Sequence, residues 1–116
     1  MAYTSSCHCG TIRATVEGDM PADGMTCDCS ICRRKGHILH FVPKETATIN
    51  APAEMLGDYT FNKHIIHHHF CKVCGCSPFG LGSDVKGNEM VAINLRCVPE
   101  CDIEALKLNQ YDGASQ

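Results

Sequence analysis

The chain has 116 residues, 44% of them hydrophobic and 20% charged, and its formal net charge is −3 at pH 7. This length suits one domain with a small core, so residues 1–116 are expected to form a single domain. The acidic balance argues against a nucleic-acid-binding protein. No apolar run approaches the ~20 residues of a membrane-spanning helix. Because the N-terminus also lacks the pattern of a secretory signal, we expect a protein of the reducing cytoplasm, with no membrane partner.

Short segments bounded by turn-forming residues recur along the chain, and helical periodicity is scarce. After Gly10, apolar and polar residues alternate over 11–16, which predicts a half-buried strand. Many short strands with frequent turns predict an all-β fold, either a sandwich or a partly open barrel. Further strands are predicted at 37–42, 47–49, 54–61, 65–70 and 90–95, with a turn at 50–53 and one helical turn at 102–106.

Seven of the ten cysteines fall into three tight groups. Zinc prefers thiolates held tetrahedrally, and short spacings bring sulfur atoms together at little cost in loop entropy. A disulfide needs a particular separation and orientation that Cys-x-Cys neighbours rarely meet, so metal binding is favoured over a disulfide framework. The groups are Cys7 and Cys9, then Cys27, Cys29 and Cys32, then Cys71 and Cys74.

The first and third groups together supply four thiolates. Residues two apart in an extended strand point to the same face, so Cys7 and Cys9 can bind one ion while His8 points away. The third group is followed by Gly75, whose conformational freedom suits the turn of a metal knuckle. Four thiolates saturate zinc, so we expect a closed structural site whose loss unfolds the domain.

The middle group offers only three sulfur atoms, which is the pattern of a catalytic zinc with one open position. A remote residue could instead close this site, and the spacing alone does not fix how the groups pair. The eligible residues are Cys76, Cys97, Cys101, His37, His40 and the histidines at 64, 67, 68 and 69.

A basic run, Arg33, Arg34 and Lys35, directly follows the middle group. Its charge could offset the thiolates or hold a substrate carboxylate, although a solvated basic turn would have the same sequence. The histidines at 67–69 are interpreted as ordinary surface or core residues because strand alternation would split them between two faces. Cys97 and Cys101 are interpreted as free thiols, with Cys101 buried.

Three segments resemble the glutathione-dependent formaldehyde-activating enzyme family, also called the GFA or CENP-V domain. These are Ser6 to Gly10, Cys27 to Gly36 and Phe70 to Gly75, and the segments 91–97 and 111–113 are similar as well. The resemblance implies an Mss4-like fold of antiparallel sheets with two zinc sites. It places a structural zinc on Cys7, Cys9, Cys71 and Cys74, and a catalytic zinc on Cys27, Cys29 and Cys32.

The family's reaction joins glutathione and formaldehyde into S-hydroxymethylglutathione, formally a carbon–sulfur lyase reaction in reverse. The resemblance therefore implies a zinc-dependent lyase with glutathione as co-substrate and an aldehyde as the other partner. Two alternatives stay open. One is a non-catalytic zinc module that binds glutathione or a protein, and the other is a redox sensor that uses Cys76, Cys97 or Cys101.

Overall fold

The computed structural model describes residues 2–60, 66–84 and 86–111. Strands dominate the described residues, and the one α-helix among them is a single turn. The elements are β1 (Ala2–Ser6), β2 (Arg13–Glu17), β3 (Asp23–Cys27), α1 (Cys32–Lys35), β4 (Leu39–Pro43), β5 (Ala47–Asn50), β6 (Leu56–Tyr59), β7 (His68–Cys71), β8 (Phe79–Ser83), β9 (Glu89–Asn94) and β10 (Lys107–Tyr111). Short 3₁₀ turns lie at Lys44–Thr46, Ala53–Met55, Leu95–Cys97 and Ile103–Ala105.

The strands form three sheets that do not close into a barrel. One has the order β1-β2-β5, the second β10-β3-β4-β9-β8, and the third is the pair β6-β7. A bridge between His67 and Leu81 joins the third sheet to β8. The result is the open, mostly β sandwich that the sequence predicts, and it fits an Mss4-like fold.

The core lies between the three-stranded and five-stranded sheets. Ile12, Ala14 and Val16 come from the β2 region, and Val91 and Ile93 from β9, each at most 2% exposed. Alternation along β9 therefore turns Val91 and Ile93 inward and turns Ala92 to the opposite face of the five-stranded sheet. That opposite face is free of the three-stranded sheet and becomes the floor of the cleft described below.

A buried hydroxyl ties the two sheets together. The Oγ of Ser5, which is fully buried, lies 2.8 Å from the carbonyl oxygen of Pro78 and 3.2 Å from that of Asn94, and donates to them. Buried carbonyl groups without a hydrogen-bond donor would destabilise the fold, because they have lost their contacts with water. The hydroxyl of Ser5 supplies that donor. The N-terminal strand is thus attached to the end of β9.

The predicted strands match β2, β4, β5, β6, β7 and β9 within a few residues, and the predicted helical turn is the 3₁₀ turn Ile103–Ala105. The parts of the predictions at 61 and 65 lie outside the described residues. The sequence pattern did not predict β1, β3, β8, β10 or α1. Two glycines interrupt the apolar pattern of β8, and every residue of β10 is exposed, so neither strand shows a clear hydrophobic alternation.

Two local expectations differ from the structure. β10 pairs with β3 in parallel, so the five-stranded sheet is mixed and only the other pairings are antiparallel. Cys7 and Cys9 lie after the end of β1 in a tight turn, where the carbonyl oxygen of Cys7 accepts a hydrogen bond from the N–H of Gly10 at 3.1 Å. His8 is exposed. Because Cys7 and Cys9 lie in a turn, the strand alternation that predicted the direction of His8 does not apply there.

Among the described residues, no helix has both the length and the apolar character needed to cross a membrane.

Candidate metal centres and the cleft between them

Four sulfur atoms meet where the turn after β1 approaches the end of β7. The Sγ of Cys9 lies 3.7 Å from that of Cys7 and 3.6 Å from that of Cys71. With Cys74, the four ligand atoms all lie within 4.8 Å of one another. Zinc–sulfur bonds of about 2.3 Å in a tetrahedron place sulfur atoms ~3.8 Å apart. The four thiols therefore have the spacing and chemistry that a tetrahedral zinc ion requires.

The two halves of this cluster have the same backbone turn. The N–H of Gly10 donates to the carbonyl oxygen of Cys7 at 3.1 Å, and the N–H of Gly75 donates to the carbonyl oxygen of Cys71 at 2.8 Å. Both glycines have positive φ angles, 84° and 83°, a conformation that side chains with a Cβ rarely adopt. The glycine after each cysteine pair is what allows the chain to fold back around the sulfur atoms.

Backbone N–H groups point at the sulfur atoms. Ile12 donates to the Sγ of Cys7 at 3.3 Å, and Val73 donates to that of Cys71 at 3.3 Å. Burial nevertheless raises the pKa of Cys7 to about 11, whereas backbone donors, first that of Cys76, lower the pKa of Cys74 to about 6. Donors directed at sulfur stabilise thiolates, the form in which cysteine binds a metal.

The second cluster is built from one short segment of chain. Cys27 ends β3, Cys29 lies in the following turn and Cys32 begins α1, and their sulfur atoms all lie within 4.8 Å of one another. The N–H of Arg33 donates to the carbonyl oxygen of Cys29 at 3.0 Å. Gly36 ends the helix with a φ of 69°, the left-handed conformation common at helix C-termini.

The thiols of the second cluster differ in acidity. Burial opposes ionisation of Cys29, but hydrogen bonds from the backbone of Cys32 and from the neighbouring thiols lower its pKa overall. Burial first, and then the neighbouring thiols, raise the pKa of Cys32 strongly. Three thiolates so close together repel one another, and a bound cation would remove that repulsion.

Within the part of the chain that the structure describes, the second cluster gains no fourth ligand. The group of mutually close ligand atoms ends at three cysteines, and Cys76 is not among them. Instead, the N–H of Cys71 donates to the carbonyl oxygen of Cys76 at 2.9 Å, which places Cys76 beside the four-cysteine cluster. Burial raises the pKa of Cys97 to about 11, and the charges of Cys76, Cys7 and Cys74 add to this effect. Cys101 is buried in the core, as predicted.

A cleft of about 830 Å³ opens directly over the second cluster. This volume is in the usual range of small-molecule sites. Its floor is the outward face of the five-stranded sheet, and α1 and β7 form walls. All six residues that the sequence proposes for the second site line the cleft, namely Cys27, Cys29, Cys32, Arg33, Arg34 and Lys35.

The basic residues have different surroundings. Lys35 reaches across the cleft, where its Nζ donates to the Oγ of Ser77 at 3.1 Å and lies 6.0 Å from the centre of the Phe70 ring. The Nη1 of Arg34 donates to the carbonyl oxygen of Ser30 at 2.7 Å, which supports the turn between the cysteines. All three residues of the basic run are exposed, and Lys35 differs from Arg33 and Arg34 in that its Nζ contacts Ser77, another residue that lines the cleft.

His37 also lines the cleft, a short distance beyond the basic run. Burial, and secondarily the charges of Lys35 and His68, lower its pKa to about 4. Its imidazole is thus neutral at physiological pH and can donate or accept a hydrogen bond without carrying charge. The sequence alone indicated His37 only as a possible remote metal ligand. It did not indicate Ser77 as a site residue, because a single serine belongs to no recognisable spacing pattern.

The described histidines of the 64–69 run divide between two faces, and position 64 lies outside the described residues. The Nδ1 of His67 lies 2.9 Å from a carboxylate oxygen of Asp58, and that of His69 lies 3.1 Å from the carbonyl oxygen of Gly57. The His67 and His69 rings stack with centres 5.9 Å apart. Both His68 and His69 line the cleft.

A family model described as glutathione-dependent formaldehyde-activating enzyme matches residues 2–109. The chain belongs to this family. The structure is also similar to the crystal structure of a Rhodobacter sphaeroides protein solved as a structural genomics target, with a TM-score of 0.79 and 27% sequence identity. That similarity covers 93% of this chain and 99% of the other. Family membership and the two cysteine clusters together support a GFA-type metal-binding domain.

Proposed function

We propose that this protein is a zinc-dependent carbon–sulfur lyase acting on glutathione–aldehyde adducts, with S-hydroxymethylglutathione as the reference adduct. One observation carries the proposal: three cysteines with no fourth ligand among the described residues lie at the base of a cleft of small-molecule size. The other cluster, with four cysteines, has no place for a substrate. We propose one zinc ion for each cluster, the first structural and the second catalytic.

The second cluster accommodates a thiol substrate. Zinc bound to Cys27, Cys29 and Cys32 would supply the positive charge that favours the thiolate form of glutathione. In the synthetic direction the glutathione sulfur attacks the carbonyl carbon and a carbon–sulfur bond forms. The electrons of the C=O double bond move to oxygen, which takes a proton, and the thiol proton is released. Holding the two reactants together supplies much of the rate gain.

Lys35 is positioned to assist at the oxygen atom. Its ammonium group is held in the cleft by Ser77, and burial lowers its pKa, an effect that the nearby Cys32 partly opposes. A charged donor at this place stabilises the alkoxide that develops as the new bond forms. His37 is neutral, so its role would be to orient the substrate by a hydrogen bond. Arg33 and Arg34, exposed on α1, are suited to the carboxylates of glutathione.

The first test combines elemental analysis with a rate measurement. Protein purified without chelator should contain about two zinc ions per chain, and Cys29→Ala should reduce this to about one while the fold is retained. Exchange NMR of glutathione with formaldehyde should show acceleration by the parent protein and none by Cys29→Ala. Lys35→Met should slow the reaction at unchanged zinc content, with the exposed Lys86→Met as the matched control.

The alternative binding-module function gives a different result in the same experiment. Glutathione would bind and shift NMR signals of residues around the cleft, but the parent protein would not accelerate adduct formation at any concentration. This comparison is needed because thiols add to formaldehyde readily without a catalyst, so an enzyme has only a small barrier to lower.

A further inference from the structure

The cleft extends well beyond the thiols, along an apolar strip on the floor of the five-stranded sheet. The strand register places Met25 beside Leu39 and Phe41 beside Ala92, and Ala92 in turn beside Gly80. All five residues line the cleft. The strip therefore crosses four neighbouring strands, and it ends at Gly80 on β8, where an added Cβ would lie 3.1 Å from the carbonyl oxygen of His67.

The strip begins at the metal cluster. Met25 lies two residues before Cys27 on the same face of β3, which corresponds to about 7 Å along the strand. Phe41 lies two residues beyond Leu39 on the neighbouring strand, so it is about 14 Å from Cys27 in the same direction. The single carbon that formaldehyde adds to a sulfur atom cannot reach this far.

Several apolar side chains along the cleft are exposed. Six large apolar side chains are exposed in the described part of the chain, and three of them line the cleft: Phe41 at 44%, Ile66 at 53% and Tyr111 at 45%. Exposed apolar surface that is continuous with a reactive site is typical of a surface that binds a ligand. In contrast, the basic residues of the cleft, Arg33 to Lys35, are all on α1 beside the thiols.

Charge and apolar surface thus divide the cleft into two parts. Glutathione carries carboxylates and an amine, and its natural place is near α1. The strip from Met25 to Phe41 suits the substituent on the carbonyl carbon. We infer that the electrophile is an aldehyde with an extended apolar substituent, and that this substituent lies on the strip at Met25, Leu39 and Phe41 and contacts Ile66, which also lines the cleft. This inference rests on the proposed function, because it assumes that the sulfur atom lies at Cys27, Cys29 and Cys32.

Binding of stable thioethers tests the strip without requiring turnover. S-hexylglutathione should bind the zinc-loaded protein roughly tenfold more tightly than S-methylglutathione, by isothermal titration calorimetry. Phe41→Ser and, separately, Ile66→Ser should remove most of this preference, since both side chains are exposed and their loss should leave the fold intact. Leu108→Ser is the matched control, because Leu108 is 52% exposed but does not line the cleft. Equal binding of the two thioethers, or a preference unaffected by both cleft substitutions, would overturn the inference.

Rates separate this inference from the proposed function. With glutathione, the parent protein should accelerate addition to 3-phenylpropanal more than to formaldehyde, and Phe41→Ser should reverse that order. Acceleration of formaldehyde alone, without a thioether preference, would retain the lyase and remove the apolar subsite. If neither aldehyde reacts faster but S-hexylglutathione is preferred, the lyase is wrong while the apolar subsite stands as a binding site for thiol conjugates.

Discussion

The two cysteine clusters should contribute very differently to stability, because one joins distant parts of the chain and the other does not. A metal bridge between Cys9 and Cys71 closes a loop of 62 residues. The chain-entropy relation for cross-links gives about 4 kcal/mol for a loop of this length. The second cluster, between Cys27 and Cys32, closes a loop of only about five residues, for which the same relation gives about 2 kcal/mol.

We therefore expect Cys71→Ala to lower the free energy of unfolding by at least about 4 kcal/mol, because it also removes a fully buried side chain. Against a typical stability of about 5–15 kcal/mol, this loss leaves a marginally folded or unfolded chain. Cys29→Ala, in the cluster that lines the cleft, should cost no more than about 2 kcal/mol. The first cluster then stabilises the fold, and the second is available for chemistry.

Urea unfolding followed by far-UV circular dichroism, with zinc in excess, measures both values. Cys101→Ala is the control for removing a buried thiol that belongs to neither cluster, and we expect it to cost about 1 kcal/mol. An equal loss for Cys71→Ala and Cys29→Ala would refute the assignment of the first cluster as the structural one. A loss for Cys71→Ala no larger than that for Cys101→Ala would refute the cross-link argument itself.

Three further predictions concern other parts of the molecule. The pKa of His37 is lowered to about 4 in the folded state, so the unfolded chain binds a proton first and the free energy of unfolding should fall as the pH drops from about 6.5 towards 4. His37→Gln should reduce this fall by on the order of 2 kcal/mol, measured by urea unfolding at each pH. The same pH dependence in the two proteins would contradict the prediction. Gly24→Ala should cost about 1–3 kcal/mol because an added Cβ meets the side chain of Ile38, whereas Gly82→Ala, with ordinary contacts, should cost less than about 1 kcal/mol in the same assay. Tyr3→Phe should leave the free energy of unfolding unchanged or raise it by up to about 1 kcal/mol, since the buried hydroxyl of Tyr3 has no hydrogen-bond partner among the described residues. A loss above about 1 kcal/mol would show that the hydroxyl has a hydrogen-bond partner.

The spacing of the cysteines was sufficient to predict metal-binding clusters from the sequence. Ligands of the second cluster lie within a few residues, so the local turn alone brings their sulfur atoms together, and family resemblance paired the two distant groups of the first cluster. Strands such as β9 were also predictable, because Val91 and Ile93 alternate with less buried residues. For the second cluster and for β9 the determining interactions are short in sequence, and a spacing rule captures them.

The tertiary structure decided what surrounds the second cluster. Lys35 donates a hydrogen bond to Ser77, which is 42 residues away in sequence. Phe41 and Gly80 lie on either side of Ala92 in neighbouring strands of the sheet. β10 has no apolar alternation to reveal it, yet its parallel pairing with β3 places Tyr111 beside Cys27. The sequence by itself thus determined the three groups of closely spaced cysteines and the mostly β class, because these depend on local spacing and periodicity. The cleft, its apolar strip and the position of Lys35 depend on sheet order and register, which long-range packing sets.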